Sequence, residues 1–331
     1  MSEPAIDDPA RGRRGRWPQA VGLTISLLSL AGVVWWATKQ PAPELPSDAA
    51  EIGSLLGAKA LYAAATLMRG ERWWWLLRRG GAEPTRADAC GLVAVGYMGN
   101  NVLPARGGDA IRVYLQAPRA RTSMRAVIGT LLAERLLDAA TLLTLFAILA
   151  YGVLRGIDAP DETRVALTFA AIAALGAVTT LIVYMARHHP LVRRVLGFVG
   201  PMTVATRELR GGYGVAMLGL TLAIWTTEAA TYLATSGAVS LGMSPIEALY
   251  LVALASVFVL IPSGPGYAGT LDAAVVFGIR AIGGSGSEAV SFLITLRFVL
   301  LVPITITGLG LLLTRYGGWS GLRALRVEAN V

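Results

Sequence analysis

Six stretches of this chain run for about twenty residues with very little charge: roughly 18–37, 52–69, 126–151, 165–186, 213–241 and 290–314. A helix needs about 20 predominantly apolar residues to cross a ~30 Å hydrocarbon core. The 331-residue chain is 54% hydrophobic and 15% charged, with a mean hydropathy of +0.58. Average soluble domains carry about 25% charged residues. These figures argue against a soluble globular enzyme, a disordered chain and a fibrous protein. The first stretch is too long for a signal peptide and lacks a small-residue cleavage site, so it reads as a retained helix. Trp73, Trp74 and Trp75 beside Arg72, Arg78 and Arg79 read as an interfacial anchor.

Basic residues cluster in five places. They are the N-terminal tail (Arg11, Arg13, Arg14, Arg16), the links 69–86, 105–125 and 187–212, and the C-terminal tail. The other links, 38–51, 152–164, 242–247 and 280–289, hold most of the acids. Positive loops stay cytoplasmic, which puts both termini inside. The net charge of +8 then serves topology, and anionic lipid head groups as partners. Nucleic acid is not expected, because separated clusters form no contiguous basic face. One cysteine, Cys90, excludes an intramolecular disulfide framework and a cysteine metal cluster. His188 and His189 are adjacent, so they do not share a helix face; no metal and no cofactor are expected.

Two further apolar regions, 88–104 and 247–282, are broken by Gly and Pro. The first has basic links on both sides and the second has acid-containing links on both sides. Each therefore enters and leaves on the same face, and the two faces are opposite. Their limbs are short: Ala89 to Met98 make about 15 Å of helix. Paired, interrupted segments in two halves are the mark of an inverted-repeat transporter. Two ordinary helix pairs with glycine kinks remain the alternative.

At the first tip, Asn100 and Asn101 offer amide donors, and Gly107-Gly108 allows a tight turn. Asp109 is a candidate cap for a helix starting near Ala110. The N–H groups of such a helix start favour phosphate, and Arg106 and Arg112 can grip it. A capped cytoplasmic loop is the bland reading of the same residues. The second tip, Pro262-Ser263-Gly264-Pro265-Gly266-Tyr267-Ala268-Gly269-Thr270, cannot be continuous helix. It places Ser263, Tyr267 and Thr270 where lipid penalises polar groups, with Asp272 just beyond. A turn that only packs the bundle is its alternative.

Charges within apolar spans are costly and usually face a cavity or each other. Glu134 and Asp138 share a helix face, and Arg135 has Asp138 within i,i+3 reach. Glu228, Arg297 and Lys59 complete the set. They fit a polar centre built from both halves, or else ion pairs near the interfaces.

At these motifs the chain resembles the lysylphosphatidylglycerol synthase transmembrane, or flippase-like, family. The residues concerned are Gly96 to Asp109 with Arg112, Glu134-Arg135-Leu136-Leu137-Asp138, and Pro262 to Thr270. The family commonly carries Glu at the positions of Asp109 and Asp272. After Thr314 only a short basic tail remains, with no aminoacyl-transfer domain. The resemblance therefore implies lipid movement and not lipid aminoacylation.

The expectation is an all-α, polytopic integral membrane protein of the cytoplasmic membrane. It would have about six spanning helices and two opposed re-entrant hairpins in an inverted repeat. Residues 1–17 and 315–331 would be basic cytoplasmic tails around one domain at 18–314. It would flip an anionic phosphate-bearing lipid or lipid-linked intermediate and would not be an enzyme. Arg106, Arg112, Arg135 and Arg297 would neutralise the phosphate. Asp109, Glu134, Asp138 and Asp272 would orient them or carry protons. A homodimer or an envelope-synthesis enzyme is a possible partner. The rivals are an integral-membrane lipid-modifying transferase and a non-transporting partner of an envelope synthase.

Overall fold

The computed structural model describes residues 27–28, 30–103, 106–154, 208–259 and 263–318. The stretch 165–186, the His188-His189 pair, Pro104, Pro262 and the residues before 27 and after 318 lie outside these. The described residues are all-helical. After helical residues 30–37 come α1 (Ala49–Arg79), α2 (Arg86–Val102), α3 (Gly107–Arg119) and α4 (Met124–Leu154). Then follow α5 (Gly211–Gly237), α6 (Pro245–Val259), a 3-10 turn (Pro265–Tyr267), α7 (Thr270–Ala281) and α8 (Gly286–Thr314).

Local chemistry sets the helix starts. Asp48 accepts from the Ala50 and Glu51 amides at 2.8 Å, and Glu51 reaches back to the Ser47 amide at 2.8 Å. Ser285 and Glu288 repeat this reciprocal cap at α8. Among the described residues, α8 is the helix long and apolar enough by itself to cross a membrane. At 29 residues it measures about 43 Å.

Helix α5 packs along α1 and α8 along α2, while α2–α3 and α6–α7 each form a hairpin. Two apolar cores result. One joins α5 to α8 through Leu251, Val275, Ile279, Phe292 and Leu296. The other gathers Trp73, Leu77, Leu92, Val95 and Leu115 around Tyr316.

The first hairpin is larger than the apolar region 88–104. Gly96 and Gly99 do not interrupt α2; they let α3 lie against it. A Cβ on Gly108 would stand 1.8 Å from the Gly96 carbonyl oxygen, and one on Gly99 would stand 2.6 Å from the Gly108 Cα. The returning limb is therefore the arginine-bearing segment 107–119, which the charge pattern alone assigns to a cytoplasmic loop. The second hairpin breaks at the Gly/Pro run, as its sequence demands.

The tryptophan cluster also differs from expectation. Trp73 is fully buried and Arg72 nearly so, and only Trp75 of the three is exposed. The Trp73 indole donates to Thr130 Oγ1 at 2.9 Å, and the Trp74 indole to the Pro84 carbonyl at 3.1 Å. Helix α1 runs on to Arg79 between α2 and α5, so most of this stretch packs against protein.

The glycine contacts make a direct prediction. Gly108→Ala should splay the α2–α3 hairpin and cost about 1–3 kcal/mol, as overpacking does. Gly219→Ala, in open space on α5, should be neutral or stabilise by up to about 1 kcal/mol. Thermal unfolding of the two purified variants checks both; equal melting temperatures would contradict the close approach.

Candidate functional site

The tips of the two hairpins meet, and a cavity of about 250 Å³ opens where they face α1, α4 and α5. Its walls carry Asn100, Asn101, Arg106, Arg112, Glu134, Arg135, Asp138 and Tyr267 from the residues singled out by sequence. Glu228, from the same polar set, is there too, and so are Tyr62, Arg69, Arg72, Tyr97, Trp225 and Tyr232.

The first tip is built by its own amides. Asn100 Oδ1 accepts from the Gly108 amide at 3.0 Å and so caps α3 from the preceding helix. Asn101 Nδ2 donates to Thr305 Oγ1 on α8 at 2.9 Å. Arg106 sits before α3 in the left-handed region, at φ 55° and ψ 41°. Its Nη2 donates to the Val259 carbonyl at 2.9 Å, and its guanidinium lies 5.6 Å over the Tyr267 ring. Tyr267 is itself left-handed, at φ 54°. Such a conformation costs a side-chain-bearing residue about 1–2 kcal/mol. Both tips thus hold strained residues facing the cavity, a common feature of functional sites.

Asp109 is not the expected cap. Helix α3 begins two residues earlier, and Asn100 already serves its exposed amide. Asp109 Oδ2 instead accepts from Arg135 Nη2 at 3.2 Å, and its Oδ1 lies 4.0 Å from Arg112 Nη1. Arg135 therefore pairs across to α3 and not along its own helix with Asp138.

Asp138 belongs to Arg72. Arg72 Nη1 and Nη2 donate to its two oxygens at 2.7 and 3.1 Å. Arg72 Nη1 also donates to Thr221 Oγ1 at 2.9 Å, and the Trp225 indole reaches Asp138 Oδ1 at 3.3 Å. Glu134 takes Arg112 Nη2 at 3.0 Å and lies 3.9 Å from Arg72. Arg112 stacks 4.0 Å over Trp73. Arg69 pairs with Glu228 and lies 5.3 Å over Trp225. The shared face of Glu134 and Asp138 is as expected, and their partners come from other helices.

Besides Asp109, which lies beside the cavity, five sequence candidates do not line it. Asp272 accepts from the Gly269 amide at 2.8 Å and from Arg297 Nε. Arg297 Nη1 donates to the Gly266 carbonyl at 3.2 Å, and Thr270 Oγ1 to the Tyr267 carbonyl at 3.3 Å. Asp272, Arg297 and Thr270 thus shape the second tip, and Ser263 lies in the same turn. Lys59 turns to the Phe298 ring, 4.7 Å from its centroid.

Of the walls given by α1 and α5, sequence reasoning found Glu228 and missed the rest. Their signal was helical spacing. Tyr62, Arg69 and Arg72 fall at i, i+7 and i+10 on α1. Thr221, Trp225, Glu228 and Tyr232 fall at i, i+4, i+7 and i+11 on α5. Each set makes one polar stripe along an otherwise apolar helix.

Five arginines and three carboxylates line the cavity, and Asp109 adds a fourth carboxylate beside it. Arg69, Arg72 and Arg112 each have a carboxylate partner, and their side chains are under a tenth exposed. Arg106 differs in bonding a neutral carbonyl, and Arg135, though paired with Asp109, differs in its exposure. A guanidinium carries five N–H groups, and among the described residues each of these two commits one. Arg135 is 42% exposed. The arrangement leaves uncommitted donors and surplus positive charge at the hairpin junction, suited to gripping a phosphate in a forked, two-bond geometry.

Over 87% of its length the chain is 22% identical to Glycosyltransferase AglD of Haloferax volcanii. The aligned part covers 52% of that protein, so the chain spans about half the length of this curated relative. The match corrects the expectation of a protein that is not an enzyme. That expectation rested on the resemblance implying lipid movement, yet a relative along most of the chain is named for a transferase. Residues 19–308 match the Lysylphosphatidylglycerol synthase TM region, and the chain belongs to that family of membrane proteins.

Proposed function

We propose that the chain binds an anionic, phosphate-bearing lipid at the hairpin junction and carries its head group across the cytoplasmic membrane. The observation that carries this reading is the pair Arg106 and Arg135, each with most of its N–H groups uncommitted at the cavity. The buried, carboxylate-paired Arg69, Arg72 and Arg112 hold the walls around them. In this reading the hairpins dip into the bilayer from opposite faces and both termini are cytoplasmic. The acyl or prenyl tail stays in lipid while the two halves rock about the site.

A second reading is favoured by the resemblance to AglD. In it the same cavity presents a lipid phosphate for group transfer. The two differ in outcome: one relocates an unchanged lipid and the other makes a new one.

The test is reconstitution in vesicles with fluorescent phosphatidylglycerol, scored by quencher access from outside. Arg106→Gln and Arg135→Gln should each slow equilibration about tenfold or more, the worth of one lost charge-assisted bond. Unchanged rates at equal incorporation would remove these residues from the site. Covalent modification of a lipid phosphate by the purified protein, with a nucleotide sugar supplied, would favour the second reading.

The buried pairs predict a different response. Arg72→Met strands Asp138 and should destabilise the fold by about 3–5 kcal/mol. Arg135→Gln, partly exposed, should leave the melting temperature within a few degrees of the parent. Thermal unfolding in one detergent separates the two.

A further inference from the structure

The cavity has two chemically distinct groups of side chains. Arg106 and Arg135 at the hairpin tips hold the phosphate in the reading above. A second group centres on the Arg69–Glu228 pair, with the rings of Tyr62, Tyr97, Trp225 and Tyr232 around it. Arg69 is 8% exposed, and its Nη1 has no partner. A buried donor left unmatched is costly, so this end of the cavity calls for an acceptor.

The chemistry of that end excludes several occupants. An aromatic cage suits a quaternary ammonium, but here a guanidinium already lies over Trp225 and another is bound to Asp138. Both nearby carboxylates, Glu228 and Asp138, are matched, so a further cation meets only repulsion. A second anion finds Arg69 already neutralised by Glu228. A hydrocarbon chain leaves Arg69 Nη1 unmatched. A neutral ring bearing hydroxyl groups meets every demand. Its C–H face lies on an aromatic ring, a hydroxyl oxygen accepts from Arg69 Nη1, and hydroxyl hydrogens go to Glu228 or a tyrosine oxygen.

We propose that the head group is a glycosyl phosphate, with its sugar ring held among Tyr62, Tyr97, Trp225 and Tyr232 and its phosphodiester on Arg106 and Arg135. This rests on the phosphate reading and names the class of lipid. It argues against a head group bearing a cationic amine.

The test titrates the full-length protein, held in a sugar-free amphipol, with three dodecyl phosphodiesters: of glucose, of glycerol and of choline. Calorimetry should give the glucosyl ester about tenfold tighter binding than the glycerol ester, and the choline ester the weakest. Tyr62→Leu and Tyr97→Leu, at partly buried positions that face the cavity, should erase the glucosyl preference, bringing the glucosyl ester down to the affinity of the glycerol ester. Arg135→Gln should weaken all three alike. Equal binding of glucosyl and glycerol esters, with Arg135 still required, overturns the sugar assignment alone. Preferred binding of the choline ester overturns it in favour of a cation cage. Absence of binding by all three, or indifference to Arg135→Gln, overturns the phosphate reading and the sugar assignment together.

Discussion

Burying guanidinium groups in an apolar bundle dictates much of this architecture. A charge removed from water costs several kcal/mol unless it is paired and hydrogen-bonded. Arg72 meets that demand by drawing on three helices at once. It rises from α1, binds both oxygens of Asp138 on α4, and reaches Thr221 on α5. Arg112 does the same between α3 and Glu134 on α4, closed off by the face of Trp73. Such pairs are poor sources of stability, because well-packed hydrophobic residues often do as well or better. What they supply is registry. Each such contact fixes the rotation of one helix against another, and together they hold a polar cavity open where apolar side chains would close it.

The second constraint is backbone proximity. Helix α3 brings Arg112 to the cavity, with Arg106 just before it and Asp109 beside it, because glycines let it lie against α2 at a distance no Cβ would permit. Gly308 plays the same part for α8, where a Cβ would stand 2.5 Å from the Ala94 carbonyl oxygen. With no hydrophobic force between helices in lipid, close packing of small residues is a main source of association. The small residues and the charged residues are thus two sides of one arrangement: the first bring the backbones together, and the second occupy the space left at the tips.

Much of this was legible in the chain. The Gly/Pro run at 262–270 announces a broken helix because proline removes a donor and no side chain restores it. The pairing of Glu134 with Asp138 on one face follows from helical spacing. The partners of those carboxylates were not legible, because local spacing favours Arg135 for Asp138 while the folded chain supplies Arg72 from 66 residues away. Glycine has two opposed uses in helices, as a break and as a site of contact, and Gly96 and Gly99 looked like the first while serving as the second. Arg72 beside three tryptophans resembles an interfacial anchor. Its burial depends on α5, whose polar stripe had to be read together with that of α1. Arg297 was expected to face phosphate and Asp272 to orient it, but the two bond each other and the backbone of the second tip, away from the cavity lining.

The contact between the tips links occupancy of the site to movement. Arg106 donates to the Val259 carbonyl at the end of α6, a neutral acceptor, and covers the Tyr267 ring. A charged acceptor forms a bond roughly twice as strong as a neutral one. In the proposed function, a phosphate that takes the free N–H groups of Arg106 in a forked grip turns the guanidinium toward itself and away from the Val259 carbonyl. The first hairpin then keeps its hold on the ligand and loses a hold on the second hairpin. A ligand shifts a conformational balance only by its differential affinity for the two states, and this exchange of partners is such a difference. Arg297 and Asp272 keep the second tip intact meanwhile, since their bonds lie within it. The tips can therefore part as two preformed units, with the loosening starting at the contact that the lipid itself contests.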